Sequence, residues 1–393
     1  VTTTGLDPRS PSPALSVVTT AEGFSALRAP WDDLLGRSQV ASPFMSFEWL
    51  HTWWKHYGGG QELRVVVARH GEQVIGILPI YLQIQRVMKF KSVRIARFIG
   101  TGGDTTPDDL DALLHPEHAT QAANAFAKFI AESLGGWDVL RLTDMTQESP
   151  FRMALEAVLG ARWGASLRCG TSARISYLPL PARWNDYVES LSRQRRYTVK
   201  KTRRRVHEES AGRFFLWDDL ARLDEAIDRL IVLHNLRWDA KGQDHAFSSP
   251  AYNAFHREVM RACQERGWLR LYCLQVGDSI AAMSYCYRFR DQVFYFQGGF
   301  DPALAKLRPG LVLMGHAIEH AIEEGNRIFD MLRGQYEFKS QWATEHRTTF
   351  YCQAYRPGLA SLCYRARYEW PQALRRRFAR EPAPAPAPSP AED

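Results

Sequence analysis

Lys306, Arg308 and Gly310 crowd the start of a strongly patterned segment in the stretch FYFQGGFDPALAKLRPGLVLMGHAIEHAIEEG, Phe294 to Gly325. Leu311, Met314, Ile318, Ala321 and Ile322 recur at helical spacing, with His316, Glu319, His320 and Glu323 opposite and Gly325 as a natural stop. A helix N-terminus leaves its first N–H groups unpaired and carries partial positive charge, so it attracts anions. Pro309 stands where a missing N–H costs little, and Gly310 lets a ligand approach the backbone closely. The chemistry predicted is anion binding: a diphosphate over the backbone of Gly310, Leu311 and Val312, with the Arg308 guanidinium beside it. Upstream, Phe296, Gln297 and Gly298 end a strand, and Gly298–Gly299 is expected to break its edge as a bulge does and splay it from its neighbour. A slot between a splayed strand and a helix mouth suits a nucleotide-diphosphate cofactor with a long, thin arm. A simple loop ending is the plain alternative for Arg308–Pro309–Gly310.

The rest of the chain must supply the scaffold for that mouth. Its 393 residues leave room for two ordinary domains, and 45% hydrophobic with 12% aromatic residues lets each bury a core. No apolar run reaches the length of a membrane span. The start is polar and proline-broken, without the apolar stretch of a signal peptide, and the chain opens at Val1, which leaves upstream residues open. Cys169, Cys263, Cys273, Cys286, Cys352 and Cys363 are scattered with no CxxC pair, which predicts reduced thiols in a cytoplasmic protein.

A weak internal repeat organises the middle. Leu63–Gln83 and Leu269–Phe289 each read as a hairpin around a Gly-acid turn. Each is followed by a strand (Val93–Gly100, Gln292–Phe300), a helix (Ala119–Leu134, Leu311–Gly325) and a further strand (Trp137–Met145, Asn326–Gly334). The predicted organisation is a disordered lead over 1–14, a first α/β unit over 15–170, a second over 171–368, and a basic then Pro/Ala-rich tail over 369–393. The first unit replaces Arg-Pro-Gly with the long acidic loop GTGGDTTPDDLDALLHPEH, so the phosphate-bearing ligand is expected in the second.

The succession of strand, RPGxxL helix and FDMLRGxYxFKxxW (Phe329–Trp342) resembles the GNAT-type acyltransferases of the FemAB-like group, which include cellulose-biosynthesis CelD-like proteins. The likeness runs over roughly residues 20–365 and takes in FEWLHTWW (Phe47–Trp54). It implies an α/β fold with an α+β mixed sheet, built as tandem GNAT-like domains. It further implies acyl-CoA, acetyl-CoA first, as co-substrate, its pyrophosphate on the helix after the central strand. Of the usual Q/R-x-x-G-x-G/A pyrophosphate loop, only Arg308 and Gly310 are represented. The acceptor implied is an amine or hydroxyl on a sugar or sugar-nucleotide of polysaccharide or envelope synthesis.

Acyl transfer to an amine needs a base for the amine's proton and an acid for the leaving thiolate. Tyr336 is the candidate acid, its phenol pKa being suited to a thiolate. Asp330 or Glu337 is the candidate base, with Arg333 and Lys339 binding the acceptor at a strand end. An Asp330–Arg333 ion pair that merely orders the loop is the alternative. Arg237 and Trp238, at the end of a helix beginning near Leu220, are further acceptor candidates, against a core role for Trp238. Phe47, Trp49, Trp53 and Trp54 offer either sugar stacking or core at helical spacing. HAIEH (His316–His320) matches the H-x-x-E-H order of a zinc-protease helix but lacks a third ligand, so no metal is expected. Arg193, Arg195, Arg196, Lys200, Lys201, Arg203, Arg204 and Arg205 lie on a predicted basic helix with Val199 and Val206 as its thin apolar stripe. It reads as a solvated face, or as a contact for a phosphate-rich acceptor, an anionic membrane or RNA. Two rival functions follow. One is aminoacyl transfer from tRNA to a peptidoglycan precursor, as in FemABX-type relatives. The other is a non-catalytic scaffold beside a polysaccharide synthase.

Overall fold

The computed structural model describes residues 12–89, 91–239, 246–334 and 336–371; most of the predicted lead and the Pro/Ala tail lie outside them. The strands are β1 (Ala14–Val18), β2 (Glu62–His70), β3 (Gln73–Met88), β4 (Lys91–Phe98), β5 (Leu113–Leu114), β6 (Val139–Met145) and β7 (Leu167–Pro179), then β8 (Gly212–Leu216), β9 (Leu269–Val276), β10 (Ser279–Phe289), β11 (Gln292–Phe300), β12 (Ile328–Arg333) and β13 (Glu345–Tyr355). The helices are α1 (Ala21–Ser25), α2 (Arg28–Arg37), α3 (Phe47–Tyr57), α4 (Ala119–Glu132), α5 (Pro150–Trp163) and α6 (Trp184–Ser190), then α7 (Arg193–Arg204), α8 (Leu223–Asp239), α9 (Pro250–Glu265), α10 (Pro309–Glu323), α11 (Glu337–Ser340) and α12 (Leu359–Tyr364).

The predicted order of elements occurs twice. Hairpin β2–β3 leads to β4, α4 and β6; hairpin β9–β10 leads to β11, α10 and β12. Gly71 and Gly277 hold the left-handed conformation in the two hairpin turns, at φ +57° and +58°. In each unit the strands flanking the helix run parallel: Ile95 opposite Val139 in the first, Gln292 opposite Ile328 in the second. The result is a mixed α/β fold of two GNAT-like units.

The units are not side by side. They share one sheet in the order β1-β2-β3-β4-β6-β13-β7-β12-β11-β10-β9-β8, with β5 on β3. β7 leaves the first unit to pair with β12, and β13 leaves the second to pair with β6. The two exchanged strands pair with each other from Glu345–Tyr177 to Ala354–Leu167. One core is likewise shared. Trp49 on α3 meets Phe255 on α9 and Tyr287 on β10 edge-on, with centroids 5.1 and 5.9 Å apart. Phe47, Trp49 and Trp53 are buried, so the FEWLHTWW aromatics are core and not a sugar platform.

A second core forms where α10 lies on the sheet, with Val312, Met314, Ala317, Ile318 and Ala321 against Val293, Tyr295, Phe329 and Met331. α7 and α6 also pack on α10, so its buried face is wider than the amphipathic stripe predicts. His316, expected on the polar side, is buried; Leu311, expected in the stripe, is half-buried.

Candidate functional site

β11 and β12 stay paired only from Gln292–Ile328 to Phe294–Asp330, then diverge. Both strands bend there: β11 carries one extra residue, Phe296, between the Tyr285–Gln297 and Cys286–Tyr295 pairs with β10, just past its last pair with β12. Leu332 takes φ +58°, its N–H donating to Asp330 Oδ1 at 2.7 Å, an arrangement a β-branched residue resists. Lys339 Nζ braces the kink, donating to the carbonyls of Leu332 (3.1 Å) and Arg333. The expected bulge on β11 thus falls at Phe296 and not at Gly298 and Gly299. They sit in regular register opposite Ser284 and Met283, and the register shift falls at Tyr285/Cys286. A Cβ on Gly299 would lie 2.2 Å from the His234 backbone nitrogen, so this glycine admits α8.

Two cavities adjoin the splay. One, of about 390 Å³, lies at the α10 mouth against Arg308, Gly310, Leu311, Phe300, Met314 and Trp342. Arg308 caps α10 in the left-handed conformation at φ 53°. Leu311 and Val312 both donate their N–H groups to the Arg308 carbonyl, at 3.0 and 3.2 Å. Of the three backbone N–H groups predicted to hold a diphosphate, only that of Gly310 is therefore without an acceptor among the described residues. A second cation, which the sequence places only on the basic helix, stands behind the Trp342 wall of this cavity. Arg195 of α7 donates to Gln341 Oε1 at 2.9 Å and lies over the Trp342 ring at 4.7 Å, while its Nε and Nη2 have no partner. Burial, opposed by Tyr187 and reinforced by the nearby Arg308 charge, pulls the Arg195 pKa down.

The second cavity, of about 370 Å³, is reached past Arg237, Tyr295 and Phe338, which line both. Its other walls include Phe296, Gln297, Trp238, Arg333, Tyr336, Lys339, Asp104 and Asp108. Arg237 Nη1 donates to the Gly298 carbonyl at 3.1 Å, and Trp238 Nε1 donates to His234 Nε2 at 2.9 Å; Trp238 is half-buried in the wall, not sealed in the core. Asp104 and Asp108 come from the first unit's acidic loop. Trp53 Nε1 fixes that loop through Thr105 Oγ1 at 2.7 Å, and Tyr81 Oη through the Thr101 carbonyl at 2.7 Å.

The predicted Asp330–Arg333 pair does not form. Arg333 reaches into the first unit, its N–H and Nε donating to Asp108 at 2.9 and 2.6 Å and its Nη2 meeting Asp144 at 2.6 Å. Asp330 instead pairs with Arg347 at 2.8 Å, and Arg347 also takes Asp109 at 2.5 Å. Four buried carboxylates thus face two guanidiniums, with Lys339 nearby. Burial pushes Asp108 up to about 7 despite Arg333, and Asp111 up to about 7; burial also draws Lys339 down to about 8. Of the predicted acid and bases, Tyr336 lines the second cavity and is half-exposed. Asp330 opens onto a different cavity with His346 and Tyr177, and Glu337 is exposed in α11 and lines neither of the two. The structure therefore brings Tyr336, Arg333, Lys339, Arg237 and Trp238 together with Asp108, and leaves Asp330 and Glu337 aside.

The HAIEH histidines are otherwise engaged. His316 meets His207 Nε2 at 2.7 Å and Arg203 at 3.0 Å, and Arg203 also binds Glu319 at 2.5 Å. An arginine so placed occupies the space a cation would need. Val199 on α7 and Val206 just past its end are buried as predicted, while Arg193, Lys200 and Lys201 are exposed.

A sheet of two such units, splayed beside a helix mouth, defines the GNAT class of fold. Residues 193–340, most of the second unit, match the family described as acetyltransferase (GNAT) domain. No curated protein matches the chain in sequence. Among solved structures, FemX shares the fold at 12% identity, covering 90% of this chain and 99% of its own, with a TM-score of 0.59. The C-terminal domain assigned to a lysylphosphatidylglycerol synthetase of Agrobacterium fabrum does so at 12% identity, covering 87% and 95%, with a TM-score of 0.51. L-PGS from Bacillus licheniformis gives 11%, 85% and 94%, and 0.51. At these identities the likeness is one of fold. No helix among the described residues is long and apolar enough to cross a membrane.

Proposed function

We propose that the second unit binds an acyl-CoA, acetyl-CoA first among them, and passes the acyl group to an amine or hydroxyl held between the units. The observation that carries this reading is the shared wall of Arg237, Tyr295 and Phe338, through which the cationic α10 mouth meets the cavity of Asp108, Tyr336 and Lys339. Arg308 and the Gly310 N–H suit a diphosphate, and Phe300, Leu313 and Met314 suit an apolar arm. Bound there, the thioester supplies the acyl group and a thiol leaving group.

Asp108 takes the acceptor's proton as its nitrogen or oxygen bonds to the carbonyl carbon; a group with a pKa near 7 is matched to that task. Lys339 places positive charge where the carbonyl oxygen becomes an oxyanion. Tyr336 returns a proton to the departing sulfur and recovers one from solvent. Asp330, committed to Arg347, and Glu337, outside the cavity, leave the base to Asp108. The acceptor, following the FemAB-like resemblance, is a sugar or sugar-nucleotide of polysaccharide or envelope synthesis. A second reading, aminoacyl transfer from tRNA, draws support from the exposed Arg193, Lys200 and Lys201 on the helix that reaches the mouth.

Titration calorimetry with acetyl-CoA, free CoA and tRNA tests both. A Cβ on Gly310 meets only Phe300 Cδ1, at an ordinary 3.5 Å, so Gly310→Asp keeps the fold while setting a carboxylate against the diphosphate. The variant is expected to bind acetyl-CoA about 100-fold more weakly, since like charges placed together cost several kcal/mol. Unchanged affinity would remove the ligand from the α10 mouth. Retention of tRNA at low salt with no CoA binding would favour the second reading.

A further inference from the structure

Away from the splay, three metal-ligating side chains converge at the far end of the acidic loop, with a fourth, His70, beside them. His115, Glu117 and His118 hold their donor atoms within 4.8 Å of one another. Pro116–His118 is a 3₁₀ turn with His115 as its N-cap, and the His118 N–H donates to the His115 carbonyl at 3.0 Å. The turn brings the His115 and His118 imidazoles to one side, tilted at 45° with their centroids 5.4 Å apart. His70, at the end of β2, brings a third ring to 5.4 Å from that of His118.

The partners of these groups point the same way. His115 is 7% exposed, yet its Nδ1 is sealed from solvent with no hydrogen-bond partner. A buried ring nitrogen left unsatisfied is costly in a native fold and calls for an ion or a water. The side chains of His70, Glu117 and His118 are not engaged in ion pairs or hydrogen bonds among the described residues, so the set is free to ligate. Three imidazoles and a carboxylate are the donors of a borderline divalent cation of the zinc type. Bonds of about 2.0–2.2 Å bring such donors together after modest rotamer changes.

We infer that His70, His115, Glu117 and His118 bind a divalent transition-metal ion, of which Zn²⁺ is the type, and that the ion clips the exit of the acidic loop to the end of β2. The loop enters from β4 and leaves through β5, where the His115 N–H donates to the Ile75 carbonyl at 2.9 Å. Its middle carries Asp104 and Asp108 to the second cavity. A clip at its exit lowers the freedom of a long loop whose position matters at the splay. The inference stands independently of which acyl donor the second unit uses.

The test uses the full chain, stripped with a chelator and titrated with Co²⁺ alone, then with Zn²⁺ in competition. One equivalent of Co²⁺ with the strong visible bands of four-coordinate cobalt is expected, together with a metal-dependent rise in Tm. His118→Gln, at a half-buried and tolerant position, should weaken binding roughly 100-fold, and the His115→Gln/His118→Gln pair should abolish the bands. No stoichiometric binding by the wild type overturns the inference. So does binding that persists in the double variant; the cluster of Glu156, Cys169 and Cys352 would then be holding the ion.

Discussion

The two units follow one order of elements and part company between the third strand and the helix. In the second unit β11 runs through a short 3₁₀ turn into Arg308, Pro309 and α10, which leaves a cationic mouth. In the first, the same interval is the loop from Gly100 to His118, and its carboxylates are turned inward on the second unit's arginines. One copy has the cationic mouth, and the other supplies Asp104 and Asp108 to the cavity that adjoins it. Under the proposed function a duplicated fold divides a site between its halves: the donor end is built within one unit, and the proton chemistry is borrowed from its neighbour.

The sharpest way to break that division is Asp108→Asn. If the first unit supplies the base, the acyl-transfer rate should fall about 10²–10⁴-fold while acetyl-CoA binding is unchanged. The wild-type rate should rise with pH through about 7 as Asp108 ionises and decline above about 8 as Lys339 loses its proton. A full rate in the variant would return the base to the second unit.

Arg347→Gln tests the joint itself, because it leaves Asp109 and Asp330 buried without a counter-charge. Removing one partner of a buried pair costs about 3–5 kcal/mol, which urea unfolding would read as a lower midpoint. A midpoint unmoved by the change would show that the guanidinium contributes nothing net.

Asp111→Asn works in the other direction. Burial raises the folded pKa of Asp111 to about 7, above its unfolded value of about 3.9, so its contribution is intact below about pH 4 and lost as pH rises through 7. At pH 8 the amide variant should melt a few degrees higher than the wild type, with the gap closing toward pH 4. A gap that widens on acidification would reverse the assignment.

The smallest effect is expected on α7. Replacing exposed Arg193, Lys200 and Lys201 with Gln should change acetyl-CoA binding less than about twofold, and any loss should vanish at high salt. A large, steeply salt-dependent loss of tRNA binding would instead make this helix part of a nucleic-acid face.

What the sequence discloses follows from the range of the forces involved. The two hairpins, α10 and the strands on either side of it are legible because alternation, helical period and Gly turns act within a few residues. The sharing of one sheet is not. Nothing in the composition of Leu167–Pro179 or Glu345–Tyr355 tells which strand each will pair with. The site divides the same way. Arg308, Gly310 and Lys339 stand out from local spacing, whereas GTGGDTTPDDLDALL looks like a solvated acidic loop until Arg333 and Arg347 arrive from more than two hundred residues away. Asp330 and Arg333, close in sequence, misleadingly suggest each other as partners, because the kink at Leu332 sends them apart.

The exchange of β7 and β13 also sets a timetable for synthesis. When the first half of the chain has left the ribosome, β6 has no neighbour on one side, since the strand that fills that place is Glu345–Tyr355. An open strand edge beside a largely apolar core is a surface that pairs with other nascent chains. The sheet closes only once Glu345–Tyr355 has emerged, and contacts so distant in sequence form slowly. A chain built this way depends on protection during its own translation, and a ribosome that stalls past the midpoint releases a fragment with its central edge exposed.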